Sequence, residues 1–342
     1  MKFLAAPGVC VWELTLACNA RCIHCGSDAG RQRPRELTHQ EALQLCDELA
    51  RLGVGAVTLS GGEPTLRKGW EELATRLVAA GVPVDMISNG LTLGPETARA
   101  AKRAGLASVT LSVDGPEAVH DELRGVQGSF AAVMRAAAEL ASAGLPVGAA
   151  TQISTRNLAS LPQLEERLTG AGFSGWQLQL TDQLGRCKEH PELALPPDAV
   201  PDIIQFIIAV ADKGRLPAYG ADNIGWMLPC EPLLRSMRRP TDRFFTGCHA
   251  GLSVIGITSE GTVRGCLSMP PAFDEASVRD MPLEAIWRDP SRFAYNRAFR
   301  EGDLTGACKS CAFCRVCRAG CKSLAWAATG GVTCNPYCAR LS

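Results

Sequence analysis

The strongest chemical signal in the sequence is a group of three cysteines near its start, Cys18, Cys22 and Cys25. The CxxxCxxC spacing supplies three thiolates, which are the natural ligands of iron–sulfur clusters. Three ligands for four irons leave one iron open to a small chelating molecule. Zinc is the alternative, but zinc sites usually contain two pairs of ligands, and here His24 would have to complete the set. The triplet therefore favours a 4Fe–4S cluster over zinc or three unrelated thiols.

A second chemical signal is the segment Gly61-Gly62-Glu63-Pro64, which directly follows an apolar run over residues 56–60. The run predicts a buried strand. Two glycines let the backbone approach a ligand closely, and carbonyl groups at a strand end can accept hydrogen bonds from an ammonium group. Two glycines alone would predict only an ordinary turn. Their place after a strand, in a chain that also contains the triplet, indicates a ligand-binding turn.

The elements that must position these residues alternate between strands and helices from residue 10 to about 213. Thr38 and Glu41 form a capping box at the start of the first helix. Six β/α units predict an α/β fold with parallel strands and right-handed crossovers. A full TIM barrel has eight, so we expect a partial (β/α)6 barrel with the triplet at its carboxyl-terminal rim. The predicted strands span 9–16, 56–60, 83–88, 108–113, 146–153 and 176–181, and helices after the first span 70–80, 95–104, 130–143, 161–171 and 201–211.

With CxxxCxxC after a first strand and GGEP after a second, roughly the first 200 residues resemble the radical S-adenosylmethionine (SAM) superfamily. The resemblance implies that Cys18, Cys22 and Cys25 bind a 4Fe–4S cluster and that SAM chelates its fourth iron. Reductive cleavage of SAM would then give a 5′-deoxyadenosyl radical, which abstracts a hydrogen atom from substrate. The cofactors supply this chemistry, while the protein supplies position and exclusion of water.

The same resemblance assigns the SAM site to residues at the ends of three strands. His24 stands where the family usually has an aromatic residue, and we expect it to pack over the cluster edge. Asp121 and Arg124 either contact SAM or substrate or form a solvated pair at a helix end. No catalytic residue is assigned. The predicted SAM-binding residues are Gly61, Gly62, Glu63, Pro64, Ser88, Asn89, Ser112 and Asp114.

Nine of the 16 cysteines lie between Cys248 and Cys338. A disulfide scaffold is typical of short secreted chains, whereas this chain has ample apolar residues for a core. The spacing Cys248-x12-Gly261-x4-Cys266, then Cys308-x2-Cys311-x5-Cys317-x3-Cys321-x12-Cys334, resembles the SPASM domain of many radical SAM enzymes. The resemblance implies two auxiliary clusters, the first on Cys248, Cys266 and Cys321 and the second on Cys308, Cys311, Cys317 and Cys334.

Several ligand assignments stay open at this point. Cys314 would be a ligand if the region followed the bacterial ferredoxin spacing, although Lys322 replaces the proline expected there. Cys338 is an alternative to Cys334, and a zinc ribbon is a third reading of the region. The first auxiliary set has only three cysteines. Its fourth ligand is a carboxylate, a water, a spare cysteine or a substrate group.

The length of 342 residues suggests two domains. We expect a radical SAM barrel over 1–185, the last barrel helix with a bridging segment over 186–245, and a SPASM domain over 246–342.

The sequence contains 35 basic residues (Lys and Arg) and 35 acidic residues (Asp and Glu), and this balance argues against a nucleic-acid-binding surface. The basic clusters and long apolar runs that would indicate membrane binding are lacking. Pro7 and Glu13 interrupt an apolar start that would otherwise resemble a signal peptide, so we expect a cytoplasmic protein.

The SPASM resemblance implies an oxidoreductase acting on a ribosomally synthesised peptide, with oxidative C–C, C–O or thioether crosslinking. The alternative is a dehydrogenase of a small molecule, cofactor or porphyrin, and an iron–sulfur electron carrier is a weaker one. Leu267 after Cys266 argues against sulfatase maturation, where that position carries a carboxylate. We expect an external donor such as flavodoxin or ferredoxin. Because few residues precede Cys18, peptide recognition would come from a separate protein, the barrel mouth or the bridge, where Asp222, Asn223, Trp226 and Glu231 are candidates.

Overall fold

One sheet of ten strands organises the part of the chain that the structure describes. The structure is a computed structural model and describes residues 3–235 and 244–341. The strands are β1 (Val9–Glu13), β2 (Val57–Ser60), β3 (Val84–Ser88), β4 (Ser108–Ser112), β5 (Val147–Ile153), β6 (Gly175–Leu180), β7 (Ala218–Gly220), β8 (Val254–Ile257), β9 (Thr262–Arg264) and β10 (Ala276–Ser277).

Strands β1 to β7 lie side by side in chain order, and each pairing between neighbours is parallel. On the other side of β1, β8 is also parallel, and β9 and β10 follow in antiparallel pairings. The strand order ends at β10 and at β7, so within the described residues the sheet does not close. The predicted α/β partial barrel is confirmed. The seventh parallel strand was not predicted because it is only three residues long.

Helices connect the parallel strands. Those predicted from periodicity are present within a few residues of their expected bounds. The helix Glu117–Arg124 was not predicted, because its buried face holds His120, Asp121 and Arg124 in place of an apolar stripe. The helices are α1 (His39–Leu52), α2 (Trp70–Ala79), α3 (Pro95–Arg103), α4 (Glu117–Arg124), α5 (Ser129–Ser142), α6 (Leu161–Gly170), α7 (Val200–Asp212), α8 (Glu231–Leu234), α9 (Leu283–Arg288), α10 (Ala294–Arg297), α11 (Gly306–Lys309), α12 (Cys314–Cys317) and α13 (Lys322–Thr329).

Alternation along the strands builds the core. In β5, buried and half-buried residues alternate over all seven positions, as expected when successive side chains point to opposite faces. On the first helix, Thr38 and Glu41 form the predicted capping box. The helix buries the predicted apolar stripe, and Gly53 ends it in the left-handed conformation that glycine adopts without steric cost.

One helical stretch of the described residues, Pro191–Asp212, is long and apolar enough to cross a membrane by length and composition. The structure places its helix, α7, against the sheet beside β7. Val200, Ile203, Ile207 and Val210 on this helix are fully buried. Such a buried apolar face is typical of a core helix in an α/β fold.

The C-terminal part of the chain is tied to the barrel by hydrogen bonds to buried or half-buried groups. The Arg279 guanidinium donates to both carboxylate oxygens of Glu41, at 2.7 and 2.9 Å. The backbone and hydroxyl of Ser259 donate to the Glu13 carboxylate at 3.0 and 2.8 Å. The predicted domain boundaries stay a prediction. Residues 236–243 of the predicted bridging segment lie outside the described residues.

The packing of the second strand gives a first test. Leu59 is fully buried in β2, whereas Leu66, in the turn that follows, is 39% exposed. Leu59→Ala is expected to lower the free energy of unfolding by about 3–5 kcal/mol, because it leaves a cavity in a packed core. Leu66→Ala, the matched control, should change it by about 0.5 kcal/mol or less. Urea denaturation followed by circular dichroism measures both, and equal effects would contradict the packing described.

Candidate active site

A cavity of about 430 Å³ opens at the carboxyl ends of the parallel strands. This is the end of an α/β barrel where active sites form, because loops from several strands converge there. The cavity extends from the N-terminal cysteine triplet to the first residues after β9. It brings together nine of the residues predicted from the sequence, namely Cys18, Cys22, Cys25, Gly61, Gly62, Ser88, Asn89, Ser112 and Cys266.

The triplet lies on a loop whose two ends are hydrogen-bonded to each other. The Cys18 amide donates to the Gly30 carbonyl at 3.2 Å, and the Gly30 amide donates to Leu16 at 3.0 Å. Burial raises the pKa of the Cys18 and Cys22 thiols. Iron binds the deprotonated thiolate form of cysteine. Iron that replaced the thiol protons would offset the free-energy cost of burying three sulfur ligands together. The donor set and its place on the cavity wall fit a cluster with one open iron.

Gly61 and Gly62 bring the turn after β2 into direct contact with the segment that precedes Cys18. The Gly62 and Glu63 amides each donate to a carbonyl of that segment at 2.8 Å. A methyl group on Gly62 would lie 2.3 Å from the carbonyl oxygen of Ala17, and Gly61 has a φ of 148°. Glycine is therefore required by close approach, and both glycines line the cavity.

Glu63 lies behind the cavity wall, fully buried. Its carboxylate accepts hydrogen bonds from the Ser88 hydroxyl at 2.9 Å, the Asn89 amide at 2.8 Å and the Thr65 hydroxyl at 2.6 Å. Glu63 thus joins the turn after β2 to the turn after β3. Pro64 begins a short 3-10 turn and is also buried. These two predicted residues support the cavity wall but are not part of it.

The turn after β3 also reaches the triplet. The Asn89 side-chain amide donates to Asn19 Oδ1 at 2.8 Å and contacts Cys18 Sγ at 3.7 Å. The Asn89 side chain therefore forms part of the cavity wall next to Cys18. Ser88 and Ser112, also predicted, line the same wall at the ends of β3 and β4.

Asp114 lies just after β4, as predicted, but its side chain does not line the cavity. Its side chain is fully buried behind the cavity, paired with Arg124 Nη2 at 2.6 Å and His24 Nε2 at 3.1 Å. Burial alone would raise the pKa of this carboxyl, but Arg124 and His24 hold it below its usual range. The Asp114 side chain points into the interior, so its predicted contact with SAM is corrected. Asp114 instead supports Arg124 and His24, which line the cavity.

Arg124 couples this buried carboxylate to the triplet. Its Nη1 lies 3.6 Å from Cys22 Sγ, so its positive charge faces both a carboxylate and a predicted cluster ligand. His24 is buried at the cavity edge and paired with Asp114, a polar contact that the expected packing role did not include. Asp121 is not paired with Arg124. It accepts hydrogen bonds from the first residues of α5 and so caps that helix.

The three cysteines of the first auxiliary set lie near enough to one another to interact electrostatically. Burial and then the neighbouring Cys248 raise the pKa of Cys266 to about 11. Burial raises the pKa of Cys321, with Cys248 and Cys266 among the further causes. The Tyr295 hydroxyl nearby is buried and, among the described residues, has no hydrogen-bond partner. Neighbouring thiols beside a buried hydroxyl without a partner fit an iron–sulfur cluster at this position.

The second auxiliary set contains five thiols. Burial raises the pKa of Cys317 to about 12, with Cys338, Cys308 and Cys311 as further causes, and Cys308 is hydrogen-bonded to Cys334. Cys314 lies apart from them, because its thiol donates to Glu301 at 3.4 Å. The arrangement therefore supports the SPASM spacing over the ferredoxin spacing and leaves both Cys334 and Cys338 within the group.

No set of three or more potential ligands in the described ranges surrounds one point as the ligands of a single metal ion do. Ligands of one zinc ion must all approach the same centre within about 2.3 Å. In a cluster each thiolate binds a different iron, so the sulfurs lie farther apart. The described cysteines therefore do not form a ready-made zinc site.

Of the four bridge residues proposed as cavity groups, only Asn223 lines the cavity. Asp222 is exposed. Trp226 is buried in the core. Glu231 is buried and accepts hydrogen bonds from the Met227 and Phe245 amides at 2.7 Å. Trp226 and Glu231 therefore support the fold.

The cavity also contains polar residues that the sequence analysis missed. Gln152, Gln177, Gln179 and Asp182 lie on β5, on β6 or just after it. Glutamine amides and a carboxylate at strand ends can bind the polar groups of a substrate. For Gln152, Gln179 and Asp182 the available signal was their place near the carboxyl ends of predicted strands, where α/β barrels form their sites.

Comparison with known proteins agrees with this geometry. The family model "Radical SAM superfamily" matches residues 12–164, and the SPASM model, "Iron-sulfur cluster-binding domain", matches residues 248–318. The chain is 33% identical to the mycofactocin maturase MftC of Mycobacterium ulcerans over 93% of its own length and 84% of the relative's. The chain belongs to the radical SAM superfamily. Its cofactors are accordingly SAM and a 4Fe–4S cluster, with further iron–sulfur binding in the SPASM domain.

Two further similarities show the breadth of this family. The chain is 29% identical to the AdoMet-dependent heme synthase of Methanosarcina barkeri over 97% of its length and 96% of the relative's. The crystal structure of Streptococcus suis SuiB bound to S-adenosylmethionine aligns with 98% of this radical SAM chain and 76% of SuiB, with a TM-score of 0.76 and 15% sequence identity. At that identity the structural match establishes the fold alone.

The turn after β2 provides the second test. Gly62→Ala is expected to lower the rate of SAM cleavage at least about tenfold, because the methyl group must displace the backbone just before Cys18. Gly170→Ala is the matched control, since a methyl group there meets nothing within 4 Å. Both rates are measured as 5′-deoxyadenosine formed under anaerobic reducing conditions. Equal rates in the two variants would show that the close approach does not position the site.

Proposed function

We propose that the protein is a radical SAM oxidoreductase that crosslinks a ribosomally synthesised peptide through a C–C, C–O or thioether bond. The observation that carries the proposal is one cavity lined at one end by the N-terminal triplet and at the other by Cys266. A substrate in that cavity would contact both the SAM side and the first auxiliary set. This arrangement suits a net two-electron oxidation.

Cys18, Cys22 and Cys25 would hold the SAM-binding cluster, and the turns after β2, β3 and β4 would hold SAM. When bound, SAM and the reduced cluster supply a 5′-deoxyadenosyl radical that abstracts a hydrogen atom from substrate. The chain's own residues position and protect this chemistry. Gly61 and Gly62 have no side chains that would fill the cavity at this wall. The buried Asp114–Arg124 ion pair holds the part of the wall that contacts Cys22 in place.

The auxiliary sets would take up the second electron. Cys248, Cys266 and Cys321 would hold the first cluster, and Cys308, Cys311, Cys317 and Cys334 the second, with Cys338 as an alternative last ligand. Cys266 lines the cavity, whereas none of the second set does. The electron left on the substrate would therefore pass to the first set and then to the second, while an external donor such as flavodoxin or ferredoxin would supply the electron that SAM cleavage consumes.

A peptide is favoured as substrate by two observations. Relatives that are 31–33% identical over 93% of the chain are named mycofactocin maturases. The cavity wall also presents the amide groups of Gln152, Gln177 and Gln179, which can pair with peptide backbone groups. A separate peptide-recognition protein would bring the substrate to this opening. All 16 cysteines are free of disulfides, which supports a reducing, cytoplasmic location.

A second candidate function is the tailoring of a porphyrin or another small molecule. The similarity to a heme synthase over 97% of the chain supports it. The same radical would then act on a tetrapyrrole side chain. An iron–sulfur carrier without SAM cleavage is disfavoured, because the cavity joins the triplet to the two glycines of the turn after β2.

The role of the triplet can be tested directly. Cys18→Ala, Cys22→Ala and Cys25→Ala are each expected to abolish 5′-deoxyadenosine formation, because each removes one of three cluster ligands. Anaerobically reconstituted wild-type protein should contain about twelve irons per chain, and each variant about eight. Cys46→Ala, at a buried thiol of α1 outside every proposed set, is the control and should retain cleavage and iron. Cleavage retained in the triplet variants would overturn the assignment.

The substrate class can be tested by co-expression with candidate precursor peptides, beginning with any short open reading frame that neighbours the gene. Mass spectrometry should show loss of two hydrogens per crosslink, with no change when Cys18→Ala replaces the wild type. A carboxylate-bearing tetrapyrrole is incubated in parallel with purified enzyme, SAM and a reductant. Conversion of the tetrapyrrole with an unchanged peptide would favour the second candidate function over the first.

A further inference from the structure

The first auxiliary set lacks a fourth cysteine. Four protein ligands complete an ordinary 4Fe–4S cluster, and Cys248, Cys266 and Cys321 supply three. The five thiols outside the triplet and the two auxiliary sets have other contacts. Cys10 and Cys46 are buried in the core and Cys230 packs against it, Cys187 packs against Leu123 and Leu193, and Cys314 donates to Glu301. A different kind of ligand is therefore needed, or the fourth iron is open.

Asp182 lies between the segments that carry two of these cysteines. It follows β6 and lines the cavity together with Cys266. Its Oδ2 accepts a hydrogen bond from the Ser323 hydroxyl at 2.5 Å, and the same hydroxyl lies 3.0 Å from the Ser268 carbonyl oxygen. Ser323 follows Cys321 by two residues, and Ser268 follows Cys266 by two residues. A single serine therefore ties the carboxylate to both cysteine-bearing segments.

Asp182 also lies close to the thiols of the first auxiliary set. The Asp182 carboxylate and Cys248 both act electrostatically on the Cys266 and Cys321 thiols. Asp182 forms no ion pair with an arginine, lysine or histidine among the residues that the structure describes, and its hydrogen-bond donors are the neutral Ser323 and Asn223. The Asp182 carboxyl group lines the cavity beside Cys266, and its two neutral donors leave oxygen lone pairs free to bind a metal ion.

We infer that Asp182 is the fourth protein ligand of the auxiliary cluster held by Cys248, Cys266 and Cys321. The inference rests on the proposed function, which assigns a cluster to those three cysteines. A carboxylate is a harder and weaker electron donor than a thiolate. The fourth iron would therefore be closed to substrate, and the cluster would accept an electron more readily than one with four cysteines.

The test uses the full chain with Cys18→Ala, Cys22→Ala and Cys25→Ala, so that only the auxiliary clusters contribute to the spectra. In this background, Asp182 is retained or replaced by Ala or Cys. The proteins are reconstituted anaerobically and reduced chemically. Electron paramagnetic resonance is recorded with and without cyanide, a small ligand that binds an open iron. Asp222→Ala is the control, since that carboxylate is exposed and away from the cavity.

With Asp182 retained, and in the Asp222→Ala control, cyanide should leave the spectrum unchanged. Asp182→Ala should make the first auxiliary signal respond to cyanide, because it opens one iron. Asp182→Cys should keep about eight irons per chain and shift the reduction potential of that cluster to a more negative value, because a thiolate stabilises oxidised iron. Circular dichroism confirms that the variants are folded.

Two outcomes would overturn the inference. One is a cyanide response with Asp182 already in place. The other is an Asp182→Ala protein whose spectrum, potential and cyanide response match those of the parent. Cys266→Ala separates this failure from failure of the proposed function. If it removes no iron, the cysteine assignment itself is wrong. If it removes about four irons while Asp182→Ala changes nothing, only the role of Asp182 is wrong.

Discussion

The close approach of the turn after β2 to the loop before Cys18 is the constraint on which the site depends. The carbonyl oxygens of Leu16 and Ala17 lie where a side chain on Gly62 would be, so the two segments meet backbone to backbone. Glu63 then extends this contact to the turn after β3 through Ser88 and Asn89. Three strand ends are thereby fixed relative to the triplet. Backbone contact of this kind gives the wall a rigid position that side-chain packing alone would not.

Burial of so many sulfur ligands requires compensating positive charge. Near the triplet Arg124 provides it, and near the auxiliary sets Arg318 and Lys322 are enclosed with the cysteines. The Lys322 ammonium donates to the carbonyls of Arg318 and Val332 at 2.8 and 2.6 Å. Burial lowers its pKa to about 8, while nearby Cys248, Cys317 and Cys308 act in the opposite direction. Lys322 thus occupies the position where a ferredoxin would have proline and adds charge between the two auxiliary sets.

Much of the fold and the position of the site follow from sequence patterns that reflect local physics. Strand and helix periodicity identified six β/α units, and the spacing of cysteines and glycines placed the site at the strand ends. Side-chain direction does not follow from such patterns. Asp114 occupies the expected strand end, yet it turns inward because Arg124 on the unpredicted α4 is there to neutralise it. Cys314 fits a ligand spacing but faces Glu301. Asp182 was missed because a single acidic residue after a strand carries no motif.

The pairing of β8 with β1 has a consequence for how this protein can be divided. Val254–Ile257 occupies the edge of the strand that leads into the triplet. A fragment ending before residue 246 would leave the backbone amides and carbonyls of Val9–Glu13 without partners on that side. Exposed edges of this kind recruit other chains and promote aggregation. The C-terminal part therefore serves the N-terminal part as a structural cover, and neither the triplet nor its strand would be expected to behave as a soluble, independent module.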